Sequence, residues 1–188
     1  FTRLFVRDVF GDSEGDLVEV IKTIGDDDYH TWAYRVLLES LREPAAFGEG
    51  FSRPRPAVNE VDLDEARARE LIARGAALET EGRLAAPVAG CAPLADMSEE
   101  SMFVAAALQE YSLANAMNRA AARRVLLARA LRRGDTVDPA ELRAHRDEIG
   151  LIAESLSRLW LARNRRSRLD DSLRGFEQAR AELDSLIA

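Results

Sequence analysis

The run from about Ser98 to Arg133, closed by Gly134, constrains this chain more than any other stretch. Its alanines and leucines from Met102 to Leu131 spread around much of a helical circumference instead of forming one stripe. A helix that is apolar on most sides has little face to offer to water, so other helices must surround it. The expectation is an all-α domain with this helix at its centre.

The remaining chain supplies the neighbours. Ser13, with Asp16 three residues on, reads as a helix start before Leu17, Val18, Val20, Ile21 and Ile24, with Gly25 as the stop. Asp26, Asp27 and Asp28 favour the positive end of a second helix, whose face is Tyr29, Trp32, Ala33, Val36, Leu37 and Leu41 and which Pro44 closes. Residues 44–59, holding Pro44, Gly48, Gly50, Pro54 and Pro56, read as a long loop. Asp62-Leu63-Asp64-Glu65 opens a third helix through Leu71 and Ile72 to about Thr80, and residues 82–96 connect it to the central one.

Asp138-Pro139-Ala140-Glu141 is the clearest start signal in the chain: an acid at the cap, proline at the first helical position, glutamate at the third. Leu142, Ile149 and Leu156 then fall seven apart, interleaved with His145, Ile152 and Leu159, so one narrow seam faces a neighbour. Ser167 to Asp170 opens the last helix, with Leu169, Leu173, Phe176, Leu183 and Ile187 as its face. A short link between the last two helices implies an antiparallel hairpin. The whole is read as a single domain over 1–188, about six helices in a bundle. Residues 1–12 fit a strand, an extended tether or a first helical turn. No fixed-period repeat supports a solenoid.

The chain has 188 residues, 47% hydrophobic and 31% charged, with a net charge of −7. It can bury roughly two-thirds of its unfolded surface. Acids exceed bases by twelve to seven over residues 1–60 and nearly balance elsewhere. No basic stripe is available for a phosphate backbone, so nucleic acid is not an expected partner. No apolar run approaches the length of a membrane span, and the cytoplasm is the expected compartment. Lys22 is the lone lysine among 26 basic residues, as codon bias in a GC-rich genome would produce.

Each residue type that could carry chemistry has a plainer reading. His145 lies on the apolar seam with only Glu141 and Glu148 nearby, which suits a partly buried, hydrogen-bonded histidine better than a metal ligand. His30 beside the acidic triplet suits a solvated helix cap, and Asp26 to Asp28 lack the alternating spacing of a calcium loop. Cys91 has no partner for a disulfide or a zinc site. The arginines of Arg163 to Arg168 offset a helix C-terminal dipole. The glycines read as helix ends and loops, not as a phosphate cradle, and no serine lies in a nucleophile elbow. No catalytic, cofactor-binding or metal residue is therefore assigned.

One stretch suggests a role. Leu159-Trp160-Leu161-Ala162-Arg163-Asn164-Arg165, followed by Leu169-Asp170-Asp171-Ser172-Leu173, resembles the closing helical hairpin of bacterial family 20 glycoside hydrolases, the β-N-acetylhexosaminidase group. Phe5 to Leu17 is similar to the segment after their catalytic barrel, and Ala105 to Leu131 to their alanine-rich helix. The chain departs from the pattern at Arg166-Ser167-Arg168, where proline and glycines are expected. The resemblance implies that the chemistry, an acid glutamate beside an aspartate that positions the substrate's acetamido group, belongs to an upstream (β/α)8 barrel. This region would then pack on that barrel or on a partner subunit. The absence of an initiator methionine fits a C-terminal excerpt. The alternatives are a stand-alone interaction module dimerising through the Leu142 to Leu159 seam, and a ligand-binding helical bundle.

Overall fold

The computed structural model describes Leu4, Arg7, Asp8 and residues 16–25, 36–38, 40–41, 64–84, 99–163 and 169–188, and every regular element among them is helical. The helices are α1 (Asp16–Gly25), α2 (Glu65–Thr80), α3 (Glu99–Arg133), α4 (Pro139–Arg163) and α5 (Leu169–Ile187). Leu4, Arg7 and Asp8 are also helical. Of the helix expected over Tyr29 to Leu41, Val36 and Leu37 are helical and, like Leu41, wholly buried. Leu38 lies in a turn and neither Ser40 nor Leu41 is helical, so the expected helix does not run on to Leu41; its other residues and the 44–59 loop lie outside the described residues.

Local chemistry sets the ends. The α2 N-cap is Asp64, whose carboxylate accepts from the Arg67 amide at 2.7 Å. At α4 the Asp138 carboxylate accepts from the Ala140 amide at 2.8 Å, as the acid-proline signature predicts. Gly134 takes φ +78°, and the next amide, Asp135, donates back to the Ala130 carbonyl at 3.0 Å. This left-handed step satisfies a last-turn carbonyl and costs glycine almost nothing.

The long helix α3 is the centre of the bundle. Ala120, Ala121, Ala122, Val125 and Ala128 are all fully buried, whereas Arg119 and Arg123, on the remaining side of α3, keep 17% and 25% of their side chains exposed. It packs against α1, α2 and α4. The pairings of Glu65 with Arg133 and of Glu79 with Arg119 fix α2 antiparallel to α3. The last two helices form the expected antiparallel hairpin: Arg146 meets Asp184 at 2.9 Å, and Arg180 lies over Gly150. The heptad seam points into it, with Leu142, His145, Ile149 and Ile152 at most 3% exposed.

The glycine reading needs correction. Gly82 and Gly134 end helices, but Gly75, Gly150 and Gly175 lie inside them. A Cβ on Gly75 would come within 2.6 Å of Asn115 and Arg119, so glycine is what lets α2 approach α3 this closely.

Candidate functional site

Arginines on a largely buried helix need partners, because an unpaired charge in a low-dielectric interior is very costly. Three of them, Arg119, Arg123 and Arg124, lie within two turns of α3, and each reaches a glutamate on a different helix. Arg119 meets Glu79 of α2 at 2.5 Å. Arg123 donates to Glu148 of α4. Arg124, whose side chain is 1% exposed, donates to Glu182 of α5 at 2.6 Å. One turn earlier, buried Asn115 donates to the Gly75 carbonyl at 3.0 Å and to Glu79 at 3.2 Å.

Glu182 does the most. Besides Arg124 it accepts from the Ser40 hydroxyl at 2.6 Å and from the Leu41 amide at 2.7 Å. One carboxylate thereby ties α3, α5 and the chain at Ser40 together.

His145 sits behind this layer, fully buried where the sequence suggests partial burial. Its Nδ1 faces Glu148 at 3.5 Å, so in the neutral ring Nδ1 carries the proton and donates. Its Nε2 is buried with no hydrogen-bond partner. Burial drives the imidazole pKa below its ordinary value; the bond to Glu148 pulls the other way, and the charges of Arg124 and Arg123 reinforce the depression. For Glu148, burial by itself pushes the carboxyl up. The His145 bond and the charges of Arg123 and Arg119 oppose it, and the group is shifted below the usual carboxylate range. Glu141, the other acid near His145 in sequence, is exposed.

Between α2, α3 and α4 these pairs line a cleft of about 270 Å³. Its lining includes the charged groups of Glu79, Arg119, Arg123, Asp147 and Glu148 together with the apolar Ala116, Leu151 and Ile152. Each carboxylate in the lining has an arginine partner: Arg119 for Glu79, Arg123 for Glu148 and Arg146 for Asp147. The cleft is thus lined by charges neutralised within the protein.

The other residues weighed for chemistry, His30, Asp26 to Asp28, Cys91 and the side chains of Arg163 to Arg168, lie outside the described residues. Among the described residues no His, Cys, Asp and Glu group could hold a metal ion, and no helix is long and apolar enough to cross a membrane. The arginine layer was the feature hidden from sequence reading. Its one signal was the occurrence of arginines at i, i+4 and i+5 in a helix expected to be central. No family model matches the chain, and no curated protein and no solved structure matches it.

Proposed function

We propose that this chain is a non-catalytic helical domain of a glycoside hydrolase resembling the β-N-acetylhexosaminidases, and that it packs on the catalytic barrel of that enzyme. The sequence support is the hairpin segment Leu159 to Arg165 with Leu169 to Leu173. The observation that carries the reading is the use made of Glu79, Glu148 and Glu182: each holds an arginine of α3 and joins two helices. A glycosidase acid is kept protonated at working pH by a raised pKa, whereas Glu148 is displaced downward. These carboxylates are committed to architecture.

The alternative, dimerisation through the heptad seam, is less favoured because that seam is occupied within the chain. His145, Ile149 and Ile152 are at most 1% exposed. Leu151 and Leu161, at 45% and 50% exposed, are the large apolar side chains that α4 turns outward.

The test is direct association. Purified chain mixed with a family 20 catalytic barrel lacking its own helical tail is expected to form a one-to-one complex in sedimentation. Leu151→Asp with Leu161→Asp is expected to weaken it. A barrel and chain that sediment independently at tens of micromolar each contradict the proposal.

A further inference from the structure

His145 is the one described histidine, and the architecture leaves its Nε2 without an acceptor. The groups around it are Glu148 on its own helix, Arg123 and Arg124 from α3, and, through Arg124, Glu182 from α5. Arg146, one position along α4, is held away by Asp147 and Asp184. The neutral ring fits this setting, since Nδ1–H donates to Glu148 and Nε2 carries a lone pair that needs no donor group nearby to avoid repulsion. The protonated ring does not fit. It would place a new N–H at a position with no acceptor, and a third cation beside Arg123 and Arg124, which already hold Glu148 and Glu182.

We propose that His145 is an acid-triggered release for the contact between α3 and α4: neutral, it steadies Glu148 against Arg123; protonated, it forces α4 off α3. The cleft lies on the same contact, because Arg123 and Glu148 line it. Release therefore opens the bundle at this cleft.

The direction follows from linkage. His145 takes up a proton less readily folded than unfolded, so its contribution to stability is complete above the unfolded value of about 6.5 and declines as pH falls below it. Glu148, also depressed, contributes above its ordinary 4.5 and is lost only at lower pH, so the two windows separate.

Urea unfolding of the whole chain and of His145→Gln at pH 7.5 and 5.5 tests the proposal. A histidine that stays neutral while folded raises the unfolding constant by about tenfold over that interval. The wild-type chain is expected to show this rise in excess of the variant, and hydrogen exchange at pH 5.5 is expected to show protection lost first along α4. Equal pH dependence in the two chains overturns the proposal. Should His145→Gln fail to fold, the imidazole resonance in a His30→Asn chain decides. A ring that remains neutral until α4 loses protection supports the release, and free titration near 6.5 with α4 protection intact refutes it.

Discussion

The bundle is held together in two ways, and the contrast separates what binds helices from what aligns them. At one end α1 contributes Leu17, Val18, Val20 and Ile24, which pack with Leu78 and Leu84 in an apolar cluster. In the middle, a larger apolar cluster that includes Leu113, Val125, Ile149, Phe176 and Leu183 is joined by the fully buried Arg124 and His145, and Arg119 and Arg123 complete the ionic layer. Burying apolar surface favours association without fixing one helix's position along another. A guanidinium meeting a carboxylate at 2.6 Å does fix it, because a shift of one turn leaves both charges unmatched. The first region supplies cohesion; the second sets register.

The largest effect that can break this contrast is removal of the shared carboxylate. Glu182→Ala removes the carboxylate that accepts from Arg124, from the Ser40 hydroxyl and from the Leu41 amide. It is expected to cost about 3–5 kcal/mol by urea unfolding. A loss below about 1 kcal/mol would place the layer among ornamental surface pairs.

In the apolar end, Ile24→Ala should cost about 2–4 kcal/mol, the transfer and cavity cost of a side chain 4% exposed. Ile24→Leu keeps the volume and should cost under about 1.5 kcal/mol. Thermal melts of the pair sharpen the comparison. If Ile24→Leu is as damaging as Ile24→Ala, this end depends on shape as strictly as the ionic layer depends on charge.

The features legible in the sequence are those whose cause is local. The Asp138 cap and the Gly134 stop are made by atoms a few residues apart, so the residue types announce them. The central place of α3 follows from its own composition, and the inward seam of α4 from its own spacing. The ionic layer has no local cause. Arg124 finds Glu182 at a separation of 58 residues, and Leu41 finds the same carboxylate at 141. On an isolated helix such arginines look like a solvated face. Gly75 is hidden for the same reason, because the Asn115 and Arg119 side chains that crowd it belong to another helix. The candidate site was legible only at His145, where the apolar seam carried one polar residue.

A double-mutant cycle of Arg124→Met and Glu182→Gln, read by urea unfolding, tests the aligning role of the layer most directly. If the pair acts as a unit, the double variant should be more stable than the sum of the single losses predicts, with a coupling of about 2 kcal/mol or more. Losses that add to within about 0.5 kcal/mol would mean that the two side chains act independently, and the account of the arginine layer as the register of the bundle would be wrong.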